Sequence, residues 1–148
     1  MKVIKGEVKH TEDISNLLAD HFSRLNSRFG YNKYKTNLSR MTEIVHERLS
    51  DDKNLYKYIV LESDDGTFAG FINLLFAKDI SEILLLELLP EFNNYDNAKI
   101  LLETALGEFK RLGVKRIITE ISPEEPNYKK AFEELNSEVL LWTAAYNL

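Results

Sequence analysis

The sequence predicts an α/β fold with a mixed sheet, and three observations carry that prediction. Strand-length runs interleave with segments of helical period, in the order β-α-α-β-β-β-α-β-α-β. Asp64-Asp65-Gly66 joins two of those runs with a strong hairpin signal. Ile83–Leu89 is apolar on both parities except at Glu87, as expected for a strand covered on both faces.

Each element has a local reason. Lys2–Val8 alternates apolar and polar residues and reads as the first strand. Thr11 stands as an N-cap before Glu12 and Asp13, and Ile14, Leu17, Leu18, Phe22 and Leu25 follow at helical spacing until Gly30. A less regular helix covers Leu38–Leu49, with Met41, Ile44, Val45 and Leu49 as its buried stripe. Leu55–Ser63 and Thr67–Ala77 are the hairpin strands. After Ile83–Leu89 comes a polar loop at Pro90, then a helix beginning near Asn97. It runs from Ala98 to Leu112 through Leu101, Leu102, Ala105, Leu106 and Phe109 and ends at Gly113. Val114–Ile121 reads as another buried strand. Asn127–Leu135 is a short helix after a loop bracketed by Pro123 and Pro126, and Val139–Tyr146 is the last strand. Trp142 and Tyr146 share one face of it, for core packing or a dimer contact.

Bulk properties narrow the function. A length of 148 residues suits a single domain over 1–148, and 29% charged residues with 44% hydrophobic ones argue against disorder. A net charge of −5 without a basic stripe argues against nucleic acid. No cysteine is present, which excludes disulfides and thiolate sites. His10, His21 and His46 lack metal-ligand spacing, so no metal is expected. The opening MKVIKGEVKH lacks a signal-peptide core and no apolar run approaches ~18 residues, so the expectation is a cytoplasmic protein away from membranes.

The strand–loop–helix passage Leu84–Leu102 aims backbone N–H groups and a helix N-terminus at one spot, an arrangement that suits an anion. Together with Val3-Ile4 … Glu12-Asp13-Ile14, the turn Asp65-Gly66-Thr67-Phe68-Ala69-Gly70-Phe71, the triplet Thr119-Glu120-Ile121 and the register around Pro90, it resembles the GNAT superfamily of N-acetyltransferases over essentially the whole chain. The resemblance implies a single domain with a mixed, mostly antiparallel sheet, a splayed parallel pair of fourth and fifth strands, and four flanking helices. It also implies acetyl-CoA, bound by backbone from Leu86, Leu88 and Leu89, by the loop Asn93, Asn94, Tyr95, Asp96, Asn97 and Ala98, and near Asn127. The loop departs from the family pattern. Asn93 replaces its arginine, Asp96 its first glycine, and only Ala98 fits. A side chain at a glycine position obstructs close approach of phosphate, although asparagine tolerates left-handed backbone. Asp96 alternatively caps the helix.

Direct acetyl transfer to an amine needs a base and an acid. Glu87 and Glu120 interrupt apolar strands and are the candidate bases, with Glu82 a third option. Each alternatively forms a surface or sheet-face ion pair. Phe132 stands where the family's acidic tyrosine would be, and Tyr128, one turn earlier, is the substitute or else a structural tyrosine. Phe29, Tyr31 and Tyr34 fall where the family's acceptor pocket is walled, or pack as a surface loop. Two readings follow. One is an acyl-CoA-dependent N-acyltransferase acting on an amine of a small molecule or peptide, as a monomer or homodimer. The other is a catalytically degenerate binding or regulatory module.

Overall fold

The computed structural model describes residues 1–30, 32–34, 37–77, 81–121 and 125–135. Its strands are β1 (Lys2–Lys5), β2 (Tyr56–Glu62), β3 (Phe68–Leu75), β4 (Ser81–Leu88) and β5 (Ile117–Thr119), hydrogen-bonded in that order in one sheet. The first three pairings are antiparallel and β4–β5 is parallel. Four helices flank the sheet: α1 (Thr11–Phe29), α2 (Leu38–Ser50), α3 (Tyr95–Arg111) and α4 (Pro126–Glu134). No described helix is long and apolar enough to cross a membrane.

The layers follow from which side chains each strand turns to which face. One cluster sets Ile59, Leu61, Ile72, Leu74, Leu86 and Leu88 against Leu101, Leu102, Ala105 and Phe109 of α3 and Ala131 and Phe132 of α4. The other sets Tyr58, Val60, Phe68 and Phe71 against Ile14 and Leu17 of α1 and Val45 of α2. Strict period-two alternation does not give this division. Two bulges do. Leu61 pairs with Gly70 and Glu62 with Phe68, so Ala69 is an extra residue, and Phe68 and Phe71 reach the same face. Asn73 pairs with Leu85 and Leu74 with Ile83, so Leu84 is extra in β4. Ile83 therefore faces α3 together with Leu86 and Leu88, while Leu85 turns to the α1–α2 side.

Local signals place the element ends. Gly30 closes α1 in the left-handed conformation at φ 73°, donating to Asn26 and Ser27 carbonyls. Thr11 is the first residue of α1 rather than its cap. A single 3-10 turn, Val8–His10, precedes it, and the Thr11 hydroxyl donates to the Val8 carbonyl at 2.6 Å. The first strand is correspondingly shorter than its alternating pattern. His10 is buried, accepts the Glu7 N–H at Nδ1 and meets Glu62 at 3.0 Å through Nε2, which pins the start of α1 to β2. The helix α3 starts two residues before Asn97, and Asn94 is its cap, its side chain accepting the Asn97 N–H at 2.9 Å. Asp96, offered as that cap by the sequence, lies inside the first turn instead. The fifth strand is confined to three half-buried residues, and Val139–Tyr146 lies outside the described residues.

Gly70 lets β3 approach β4 closely. A Cβ there would stand 2.4 Å from the Glu87 carbonyl oxygen and 2.8 Å from Leu88 Cα, both backbone atoms with little room to yield. Gly70→Ala is expected to lower stability by about 1–3 kcal/mol through overpacking. Urea unfolding measures it, and an unchanged midpoint would show that the strands can part without cost.

Candidate active site

The strands β4 and β5 separate early. Their pairing covers Ser81–Ile117, Glu82–Ile118 and Ile83–Thr119, and β4 then runs on alone for five residues on that side. The Thr119 hydroxyl closes the junction by donating to the Ile83 carbonyl at 2.9 Å. Past this point the outer edge of β4 has no strand partner among the described residues. The Leu89 N–H bonds back to Ala69 in β3, so the Leu88 N–H points the other way, out of that open edge. The alternation of the ladder sends the backbone groups of Leu86 in the same direction.

The hydroxyl of Tyr128 on α4 accepts the Leu88 N–H at 2.9 Å. Tyr128 is buried, and burial, reinforced by the negative charge of Glu87, drives its phenol well above the ordinary tyrosine range. The phenol thus stays protonated at the edge of the strand. Phe132 is buried on the same helix and contributes packing.

Glu87 occupies the opposite side of the same strand, facing α1, and its side chain is 2% exposed. Burying a carboxylate is costly unless it is paired, and α1 supplies two partners one turn apart. His21 Nδ1 lies 2.5 Å from Glu87 Oε1, and Arg24 Nη2 donates to Oε2 at 2.8 Å. Arg24 also reaches Asp20 through Nε and Glu125, just before α4, through Nη1, each at 3.1 Å. Burial works against the guanidinium charge, but Glu87, aided by Asp20 and Glu125, outweighs it and raises its pKa. One arginine therefore joins α1, β4 and the start of α4.

Asn73 and Phe71, on β3, turn to this same side. Asn73 is buried, and its Oδ1 has no hydrogen-bond partner among the described residues. Next to His21 begins an aromatic row. His21 meets Phe22 edge-on at 5.4 Å, Phe22 stacks on Tyr34 at 5.1 Å, and Phe29 lies 6.2 Å from Tyr34. The buried side chain of Asn26 fixes Tyr34 by bonding both its backbone N–H and its carbonyl at 2.8 Å.

The loop after β4 satisfies most of its own amides. Phe92 N–H bonds to Leu89, Asn93 to Pro90, Asn94 to Phe92, and Ala98 to the Asn94 carbonyl. Asn97 Nδ2 donates to the Phe92 carbonyl at 2.8 Å, and Asn127 Nδ2 ties the loop to α4 through the Asn93 Oδ1 at 3.1 Å. Of the amides from Asn94 to Ala98, those of Tyr95 and Asp96 have no partner among the described residues. The Asp96 side chain is exposed beside them. The Tyr95 hydroxyl is engaged by Glu134.

The sequence-derived candidates fall into three places. Glu87, Tyr128, Leu86, Leu88 and Leu89 meet at the end of β4. Asn93, Asn94, Tyr95, Asp96, Asn97, Ala98 and Asn127 form the self-bonded loop and its anchor. Phe29 and Tyr34 line up beyond His21, while Tyr31 lies outside the described residues. Glu120 is exposed past the end of β5, and Glu82 is half-buried opposite Ile118. His21, Arg24, Asp20, Glu125 and Asn73 were not anticipated as site residues. A signal for two of them exists in the sequence, because His21 and Arg24 continue the Ile14–Leu17 stripe at i+7 and so put polar heads on a buried face.

The same fold is found in solved acetyltransferases. The chain superposes on YycN, a putative acetyltransferase from Bacillus subtilis, with a TM-score of 0.73 at 9% identity, over 99% of each chain. A probable acetyltransferase gives 0.72 at 16% identity, over 100% of this chain and 97% of the other. AAC(6')-Iy, solved with the bisubstrate analogue CoA-S-monomethyl-acetylneamine, gives 0.70 at 15% identity, over 99% and 97%. This is the GNAT acetyltransferase fold. No family model matches the chain, and no curated protein does. At these identities the GNAT likeness is one of fold.

The raised Tyr128 pKa gives a pH prediction. Above about pH 10 an unfolded tyrosine loses its proton while the folded one keeps it, so deprotonation favours the unfolded chain. This contribution is complete below pH ~10 and declines above it. Equilibrium unfolding across pH 8–11 is expected to show stability falling in the upper part of that window, with a shallower fall in Tyr128→Phe. Equal slopes would place the phenol in water.

Proposed function

We propose that this chain is an acyl-CoA-dependent N-acyltransferase that transfers an acetyl group to the amine of a small molecule or peptide. The observation that carries the reading is the pairing of opposite chemistries at consecutive residues of one strand. Glu87 presents a buried carboxylate with its partners on the α1 side, and Leu88 presents a protonated phenol, Tyr128, at the open edge. A proton-accepting cluster around Glu87 and an acid are thereby held on the two sides of one backbone, as amine deprotonation and thiolate protonation require.

Acetyl-CoA fits the site in part. The open edge offers the backbone groups of Leu86 and the carbonyl of Leu88 to an extended, amide-bearing chain, the Leu88 N–H being held by Tyr128. At the start of α3 two N–H groups, those of Tyr95 and Asp96, remain for a phosphate, and Asp96 sets a carboxylate against it. The bound donor would supply an activated acyl thioester. This chain's part is to orient the acceptor on the α1–α2 side, take its proton into the Glu87 cluster, and return a proton from Tyr128. The unpartnered Asn73 Oδ1 on the acceptor side suits an N–H donor such as an amine.

The closed loop favours a second reading. Asparagines that satisfy their own amides, together with Phe132 where a hydroxyl is expected, describe a fold kept as a binding or regulatory module, as a monomer or homodimer.

Calorimetric titration with acetyl-CoA at moderate salt separates the two. Saturable micromolar binding is expected, and no heat at millimolar ligand with folded protein would leave the module. Asp96→Asn is expected to tighten binding roughly fivefold by removing like charge, more at low salt than at high. Unchanged affinity at both salts would show that no phosphate lies near Asp96.

A further inference from the structure

Glu87 is poorly placed to touch a substrate itself. Its side chain is 2% exposed, one oxygen meets His21 and the other Arg24. His21 is different. Its side chain is 14% exposed, Nδ1 is committed to Glu87, and Nε2 has no hydrogen-bond partner among the described residues. The other two histidines are used otherwise. His10 spends both nitrogens on Glu7 and Glu62, and His46 lies on the exposed side of α2 beside Ser50.

We propose that His21, through Nε2, is the group that receives the proton of the acceptor amine, and that Glu87 is its positioning residue; this rests on the acyltransferase reading above. The chemistry follows from the contacts. A bare imidazole nitrogen facing a carboxylate oxygen at 2.5 Å would set two lone pairs against each other, which favours the Nδ1–H tautomer and leaves the lone pair on Nε2. An ammonium acceptor gives a proton to Nε2, and the nitrogen lone pair so freed forms the bond to the acyl carbon as the carbon–sulfur bond breaks. The departing thiolate takes its proton from Tyr128, the second proton of the newly acylated nitrogen restores the phenol by way of solvent, and the first leaves His21 for solvent. The imidazolium formed at His21 is stabilised by Glu87, as a carboxylate stabilises the histidine of a hydrolase triad.

The neighbouring charges are consistent with this role. From α1 come Arg24 and Asp20, from β4 Glu87, and from the approach to α4 Glu125, with the neutral Tyr128 phenol beyond the strand. Arg24 offsets Glu87 in the resting state, and Asp20 and Glu125 in turn hold Arg24 toward the cluster. The row Phe22–Tyr34–Phe29 starts at the His21 ring, and the Lys33 ammonium lies over it, 4.6 Å from the Phe29 ring centroid and 5.4 Å from that of Tyr34. A cation already over those rings repels further positive charge, so the acceptor class this fits is a monoamine with an apolar body, more than a compact polycation.

The test combines two readouts on the full chain. In the first, nitrogen-15 spectra of the wild-type histidine rings are recorded against pH, with His21→Gln assigning the signal. Neutral His21 is expected with Nδ1 protonated and Nε2 bare, and Glu87→Gln is expected to lose that bias. The reverse tautomer in the wild type overturns the proposal without any activity measurement. In the second, thiol release from acetyl-CoA is followed with phenethylamine as acceptor across pH 5.5–9.5. The wild-type kcat is expected to fall on the acid side. His21→Gln is expected to lower kcat by about 100-fold or more and to remove that acid limb, with the KM for acetyl-CoA within twofold of wild type. A His21→Gln enzyme that keeps both the limb and most of its kcat overturns the assignment and leaves the acyltransferase reading standing. Wild-type protein that neither binds acetyl-CoA nor releases thiol removes the acyltransferase reading and this assignment with it.

Discussion

A charged carboxylate inside a sheet face needs compensation, and the placement of Glu87 governs much of what surrounds it. Two partners come from one helix because His21 and Arg24 are three residues apart and therefore on the same side of α1. The helix is in turn fixed at its start by His10 and Glu62, so its register against the sheet is set at two distant points. Arg24 then reaches Glu125, which draws the approach to α4 toward the same cluster. Replacing the carboxylate with a leucine would remove the need for both partners, and losing either partner alone would leave one buried carboxylate oxygen uncompensated.

The bulge at Leu84 is what makes that placement coexist with a continuous core. Before it, odd-numbered residues of β4 face α3; after it, even-numbered ones do. If β4 alternated regularly through Leu84, with no bulge, Glu87 would point into the leucine-rich layer beneath α3, where no described cation waits. The same irregularity accompanies the parting of β4 from β5, and the freed edge is where Tyr128 docks. Core division, buried charge and open edge thus share one local insertion.

The sequence made the helices and hairpin legible because their signals are local: the stripe of α1, the Asp-Gly turn, and the Leu101–Phe109 period of α3. Strand ends were less legible. Val114 to Ile121 is apolar enough for a longer strand, yet β5 ends at Thr119 because the parting of the sheet, a tertiary event, leaves Glu120 and Ile121 without a strand partner among the described residues. Asp96 and Asn94 are both good caps, and the choice between them depends on the turn at Pro90–Phe92 that precedes the helix. In the site, Glu87 stood out as a charge in an apolar run. His21 and Arg24 continue the buried stripe of α1, but nothing in that period says which residue they meet, because Arg24 pairs with Glu87 across 63 residues.

The bond from Leu88 to Tyr128 has one more consequence. Neighbouring amides of a sheet owe their protection from solvent exchange to the ladder, but the Leu88 N–H is held by a side chain forty residues away on another element. Its hydrogen exchange therefore tracks the docking of α4 and not the opening of the sheet. A single backbone amide in the middle of the chain becomes a built-in gauge of whether the last described helix is seated.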